Sequence, residues 1–167
     1  MAYLSFPENL FVMQGLAPKT GAGAALTSIP ISLKNVQKLW AVCNVNTVGT
    51  SAAVAIVPQT DALVAFGSAL PIVHTVPIWV NATAGTSDAI TKATSAVNYT
   101  TVADALFKQV IFEIDPSDFR TTASAASDDV CFRISFTTVA ATDFVEVTYI
   151  IQPRYVSKSD TRSYIVD

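Results

Sequence analysis

Few side chains in this 167-residue chain are of the types that catalyse reactions or bind metals. His74 is the single histidine and lies in the apolar run PIVHTVPIWV. The sequence contains no nucleophile-elbow motif that would supply a serine for it to activate. One histidine and two distant cysteines, Cys43 and Cys131, cannot supply a tetrahedral zinc set. We therefore expect no enzymatic activity, no catalytic residue, no metal site and no cofactor.

Two pairs of carboxylates are close enough in sequence to suggest calcium binding or glycoside hydrolysis. Asp115 and Asp118 belong to the stretch DPSD, which directly follows a strand pattern, so Asp115 is expected to cap a turn or a short helix. Asp128 and Asp129 lie in the small-residue loop TTASAASDD and are expected to be solvated. Neither pair predicts a ligand site.

Charged residues are sparse, at 14% of the chain against 51% hydrophobic residues, and the net charge is −3. An average soluble domain has about 25% charged residues. Because buried interfaces are depleted of charge, this composition favours a protein whose surface is largely covered in an assembly. The basic residues form no cluster, so nucleic-acid binding is not expected. Both cysteines are expected to be reduced core thiols.

The segment 62–87 carries no charge and includes ALVAFGSALPIVHTVPIWV, a run that could suggest a membrane helix. Pro71 and Pro77 divide this run into pieces of strand length, so we expect buried strands, with an edge or bulged strand at the prolines. No membrane contact is expected. The opening MAYLSFPENLFVMQG has no basic segment ahead of an apolar run and does not read as a secretory signal.

Period-two alternation, rich in Val, Ile, Thr, Phe and Tyr, predicts about eight strands separated by turn sequences. Helix is expected only as one or two turns within 101–109 and one turn at 115–119. The fold class is therefore all-β: an antiparallel β-sandwich, jelly-roll-like fold or open barrel. The predicted strands are 29–33, 37–46, 52–58, 71–81, 89–94, 106–115, 130–138 and 143–152.

The clearest alternation is FRISFTTVAATDFVEVTYII at 132–151. Its two runs, 131–137 and 145–151, are predicted to pair as a hairpin that serves as scaffold. Arg133 and Glu146 are expected to pair across the solvent face of this hairpin. The residues expected in the core are Phe132, Ile134, Phe136, Val147 and Tyr149.

Both ends of the chain differ from the strand series. Residues 1–28 are predicted to form an extended arm, because Gly21, Gly23 and the small residues of APKTGAGAALTS disfavour helix and strand. Residues 29–152 form the predicted sandwich and 153–167 an extended tail. Ordering fifteen arm residues costs about 15–30 kcal/mol, and burying the arm's apolar side chains returns only about 6–12 kcal/mol. An ordered arm therefore needs backbone hydrogen bonds or a groove, such as one supplied by a neighbouring subunit.

The ends are accordingly the predicted attachment devices, with the arm against another subunit and the tail at a more polar contact. The predicted interface residues are Tyr3, Leu4, Phe6, Leu10 and Phe11 in the arm, and Arg154, Tyr155, Arg162 and Tyr164 in the tail.

The opening MAYLSFPENLFVMQGLAPKTGAGA, the runs KLWAVCNVN and VPIWVNATAGTSDAI, and the ending IIQPRY with IVD resemble small virion proteins of tailed bacteriophages, in particular head decoration proteins. The resemblance implies a capsid-stabilising protein on the outer surface of the virion, made in the host cytoplasm. Its partners would be the major capsid protein and copies of itself, as a homo-oligomer such as a trimer. The family supplies no catalytic residues.

Two alternatives stay open. A tail-tube or other small virion subunit would also be small and β-rich. A carbohydrate-binding or adhesin sandwich would expose Trp or Tyr platforms on loops, whereas Trp40 and Trp79 fall within strands and are expected in the core.

Overall fold

The computed structural model describes residues 9–21, 23–48, 53–61, 66–67, 69–119 and 131–154. Within these ranges the chain forms twelve strands and one 3₁₀-helix. The strands are β1 (Phe11–Thr20), β2 (Ala24–Thr27), β3 (Ile31–Ser32), β4 (Val36–Asn46), β5 (Ala55–Asp61), β6 (Leu70–Pro71), β7 (Val76–Asn81), β8 (Thr91–Ala96), β9 (Tyr99–Thr100), β10 (Phe107–Ile114), β11 (Cys131–Val139) and β12 (Phe144–Pro153), and the 3₁₀-helix is Pro116–Phe119.

The strands form two antiparallel sheets that pack face to face, so the sandwich predicted from the alternation is confirmed. The first sheet has the order β1-β12-β4-β10-β7-β8. The second sheet has the order β2-β11-β5-β6, with β3 added beside β11 and β9 beside β5. Each of the eight predicted strand segments overlaps at least one of the observed strands.

The core lies between the sheets and is built from alternate residues of each strand. On β4 the inward residues Leu39, Ala41, Cys43 and Val45 are all fully buried. Burying an aliphatic or aromatic side chain of this kind contributes about 1.5–3 kcal/mol. The five residues predicted for the core from the 132–151 stretch are fully buried, which confirms that prediction.

The local predictions at prolines and caps are confirmed. Pro71 lies in the two-residue edge strand β6, and Pro77 lies where the pairing of β7 with β8 shifts its register. The Asp115 carboxylate accepts hydrogen bonds from the Ser117 backbone N–H at 2.9 Å and from its hydroxyl at 2.7 Å, and so caps the 3₁₀-helix. In the described parts of the chain, no helix is long and apolar enough to cross a membrane.

The helical turns predicted within 101–109 are wrong. Residues 103–105 form a bend, and β10 begins at Phe107 with β4 and β7 hydrogen-bonded on its two sides. Hydrogen bonding to β4 along the whole of β10, and to β7 over residues 109–112, outweighs the weak helix propensity of so short a segment.

The predicted hairpin of 131–137 with 145–151 is also wrong, because β11 and β12 belong to different sheets. Both strands present an apolar face, and these faces meet across the core, where the rings of Phe132 and Tyr149 pack edge to face at 6.1 Å. Alternation fixes which face is buried but not which strand is the neighbour. Arg133 therefore bonds Gln59 on β5, and Glu146 bonds Asn44 on β4.

The prediction that the glycine-rich stretch excludes strand is wrong as well. Residues Phe11–Thr20 form the edge strand β1 of the first sheet, and Ala24–Thr27 form β2 of the second sheet. Gly21 lies at the crossing between the sheets, where a Cβ atom would stand 1.9 Å from the Val139 carbonyl oxygen. Glycine is needed there for close backbone approach, so it allows the strands to continue rather than ending them. Residues 1–8 of the predicted arm lie outside the described residues.

Candidate interaction surface

The predicted interface residues fall into two groups. Leu10 and Phe11 are half-buried, and Phe11 packs against the core of its own chain. Arg154 is exposed, and its backbone N–H donates to the Asn35 carbonyl at 2.7 Å. The structure thus describes three of the nine residues. The other six lie outside the described residues: Tyr3, Leu4, Phe6, Tyr155, Arg162 and Tyr164.

The chain enters and leaves the sandwich at one place. β1 and β12 are antiparallel neighbours, and the first residue of β1, Phe11, is paired with Ile151. β12 ends two residues later at Pro153, opposite Val36. Leu10 and Arg154 therefore lie at the same end of the first sheet. The N-terminal and C-terminal segments join the sandwich side by side at this end.

The outer face of the first sheet is a broad, weakly charged surface with half-buried aromatic residues. Trp40 and Trp79 alternate with buried residues on β4 and β7 and so point away from the core. The expectation that both tryptophans belong to the core is therefore wrong. In KLWAVCNV one phase is wholly apolar (Leu39, Ala41, Cys43, Val45), and the other phase carries Lys38 and Asn44 beside Trp40, so the alternation places the tryptophan on the outward face.

A charged network holds the tryptophans in place. Lys38 forms an ion pair with Glu113, and the indole N–H of Trp79 donates to the same carboxylate at 3.4 Å. The hydrogen bond from Lys38 is the main cause that holds the pKa of Glu113 below its ordinary value of 4.5. The ammonium groups of Lys38 and Lys92 lie 5.8 and 5.7 Å from the ring centres of Trp40 and Trp79. Cation–π attraction at such partly exposed sites is worth about 0.5–1 kcal/mol.

A row of amides crosses the same face toward the β7–β8 loop. Asn44 donates to Glu146 at 3.3 Å, and Gln109 donates to Asn44 at 3.2 Å. Gln109 is paired in register with Asn81, the last residue of β7. At this point the loop 82–90 rises over the sheet and forms an open cleft of about 660 Å³.

The residues considered for chemistry are not brought together. His74 lies in the loop between β6 and β7 and forms no cluster with Cys43 or Cys131. The two cysteines are buried thiols that form no disulfide. Burial raises the pKa of the Cys43 thiol well above its ordinary value, so the nucleophilic thiolate is disfavoured. Among the described residues no group of His, Cys, Asp and Glu could hold a metal ion, and Asp128 and Asp129 lie outside them.

Two buried charged residues, Lys108 and Asp143, were missed from the sequence. Lys108 is 2% exposed, forms an ion pair with Asp104, and donates to the Thr47 hydroxyl at 3.1 Å and the Leu106 carbonyl at 3.2 Å. These acceptors occupy the ammonium group fully, so Lys108 acts as a structural clamp at the start of β10. Its neighbour Phe107 faces outward, in phase with Gln109 and Glu113, so a large apolar ring lies on the outer face of the sheet.

Comparison with known proteins gives no relative: no family model, no curated protein and no solved structure matches the chain. The function is therefore inferred from the residues of the chain itself.

Proposed function

We propose that the chain is a non-enzymatic structural protein of a phage virion. In this proposal it is a decoration protein on the outer surface of the head, where it binds the lattice of the major capsid protein and copies of itself. The residues at the two ends of the chain make the attachment, and the sandwich is the platform between them.

One observation carries the proposal: both ends of the chain meet the sandwich at the same end of the first sheet, at Leu10 and Arg154. Two segments that leave a rigid domain side by side can engage one underlying surface together. Linked contacts of this kind raise the effective concentration of the second contact once the first has formed.

The composition and the surface of the sheet support an assembled state. Only 14% of the residues are charged. On the outer face of the first sheet Val12, which is 55% exposed, is paired with Ile150, and Ile150 is paired with Trp40, so three apolar side chains lie side by side. Contiguous apolar surface on a β-sandwich marks a site of interaction more often than a free surface.

The test uses phage heads and tails purified from particles that lack this protein. The full chain and two truncations, one without residues 1–8 and one without 155–167, are added and their binding is measured by co-sedimentation. Removing residues 1–20 would delete β1 and expose the edge of β12, so the shorter truncation is the informative one. Thermal unfolding of each variant checks that the sandwich stays folded.

We expect the full chain to bind heads, and each truncation to bind them about tenfold more weakly or worse, which corresponds to about 1.4 kcal/mol. Binding of the full chain to tails and not heads would instead identify a tail-tube or other tail subunit. Undiminished occupancy by both folded truncations would show that the ends are not the anchors.

A further inference from the structure

The open cleft beside the β7–β8 loop has the features of a small-molecule site. Its floor is formed by Asn81 and Gln109, which are register partners on β7 and β10. Phe107 lies two residues before Gln109 on the same outward face, and Asp88 and Ile90 belong to the opposite wall. A volume of about 660 Å³ falls within the range of pockets that hold small ligands.

The wall of the cleft is preformed. The Asn81 side chain donates to the Ser87 carbonyl at 2.7 Å and accepts from the Thr83 N–H at 3.0 Å. The Thr83 carbonyl accepts from the N–H groups of Thr86 and Ser87, both at 2.9 Å, and the Ala84 N–H donates to the Phe107 carbonyl at 2.8 Å. The loop therefore needs little ordering when a ligand binds, which reduces the entropic cost of binding.

Phe107 is placed against the usual rule for strands. At the start of β10 the phenylalanine is 36% exposed, whereas the adjacent Lys108 is 2% exposed. Burying the lysine and exposing the ring breaks the hydrophobic pattern of the strand. Such local violations are expected where function, rather than folding, selects the residue.

We propose that this cleft binds a neutral saccharide. The ring of Phe107 and the side chain of Ile90, which is 45% exposed, offer an apolar surface to the C–H face of a sugar ring. Asp88 and Gln109 line the same cleft, and a carboxylate and an amide oxygen can each accept hydrogen bonds from sugar hydroxyls. This activity is separate from attachment to the capsid, because it uses the loop of the β7–β8 edge and not the ends of the chain.

The lining argues against other ligand classes. Calcium takes six to eight oxygen ligands, and Asp88 is the single carboxylate among the residues that line the cleft. An anion would meet that carboxylate with no lysine or arginine in the lining to balance it. A purely apolar ligand would bury the amide and hydroxyl groups of the lining without partners. Polar groups around an aromatic surface fit a polyol best.

The test is a titration of the ¹⁵N-labelled full chain, followed by NMR, with glucose, galactose, N-acetylglucosamine, cellobiose, maltose and lactose. Concentrations up to about 20 mM detect dissociation constants of millimolar order. We expect at least one sugar to shift the amide signals of residues 82–90 and 107–109. Absence of shifts with all six sugars, or shifts confined to other parts of the chain, would overturn the proposal.

Two matched pairs of variants locate the site. Phe107→Ala should weaken binding about three- to tenfold, whereas Phe144→Ala, an exposed phenylalanine outside the cleft lining, should change it less than about twofold. Gly85→Ala adds a methyl group at an ordinary contact distance of 3.6 Å from the Phe107 Cβ atom and should narrow the cleft without unfolding the chain. Gly67→Ala, whose methyl group meets nothing within 4 Å, is its control. If the two variants of each pair bound the sugar with equal affinity, the assignment of the binding site to this cleft would be refuted.

Discussion

The hydroxyl of Ser28 joins the two sheets through the core, and removing it should cost more than removing its partner. Ser28 follows β2 and is 4% exposed. Its Oγ accepts from the Ile134 N–H on β11 at 2.9 Å and shares a hydrogen bond of 2.5 Å with the Tyr149 hydroxyl on β12. Tyr149 is fully buried, and burial raises the pKa of its hydroxyl, which stays neutral and able to donate.

The magnitudes follow from which groups lose their partners. Ser28→Ala leaves two buried groups unsatisfied, the Ile134 N–H and the Tyr149 hydroxyl, at about 1–3 kcal/mol each, so we expect a loss of about 3–4 kcal/mol. Tyr149→Phe leaves only the Ser28 hydroxyl short of one bond, and we expect a loss of about 1–2 kcal/mol. The double variant no longer contains the stranded Tyr149 hydroxyl and should therefore be more stable than Ser28→Ala alone.

Equilibrium unfolding in urea gives the free energy of unfolding of the native chain, the two single variants and the double variant. The double-mutant cycle built from these values gives the coupling energy between the two hydroxyls. A coupling below about 0.5 kcal/mol would refute the reasoning, because the two groups would then act independently. A Ser28→Ala variant as stable as the native chain would equally show that the hydroxyl does not join the sheets.

Three further predictions concern single sites. The pKa of Glu113 is lowered in the folded chain, so the ionised side chain stabilises the fold above the ordinary pKa of 4.5, and this contribution is lost as the pH falls through the lowered pKa. Glu113→Gln should therefore reduce the loss of stability between neutral and acid pH. An unchanged loss would count against the ion pair with Lys38. Lys108→Met should lower the free energy of unfolding, measured in urea titrations, by about 1–3 kcal/mol. The exposed control Lys19→Met should change it by less than about 0.5 kcal/mol. Equal effects of the two variants would contradict a structural role for the buried Lys108 ammonium group. Gly21→Ala should lower the free energy of unfolding by about 1–3 kcal/mol through overpacking, and so lower the melting temperature, while Gly67→Ala leaves both unchanged. A Gly21→Ala chain as stable as the native chain would show that the backbones at Gly21 and Val139 are not in close contact.

Most strands could be predicted from the sequence because burial on one face leaves a period of two, which is clearest in β4, β10 and β12. Their partners could not. The inward faces of β11 and β12 suit either a hairpin or two opposed sheets, and the observed neighbours distinguish the two arrangements, because β11 pairs with β2 and β5 while β12 pairs with β1 and β4. The strands β1 and β2 were missed because Gly21 was taken as a strand breaker, although it serves the crossing between the sheets.

The surface was harder to predict than the core. Trp40 was expected in the core because it is large and lies within a strand, although it shares its phase with the polar residues Lys38 and Asn44, which face outward. The burial of Lys108 on the inward face depends in part on the Thr47 hydroxyl, sixty-one residues away in the sequence. The cleft exists because a loop from β7 returns over β10, a consequence of strand order that local patterns do not contain.

The most direct test of the central claim is a cryo-electron microscopy reconstruction of phage heads with and without this protein. The account predicts added density on the outer surface of the head that fits the sandwich, with Leu10 and Arg154 at the end of the first sheet directed toward the capsid lattice. Density of this shape in the tail, or a sandwich on the head with that end directed to solvent, would contradict it.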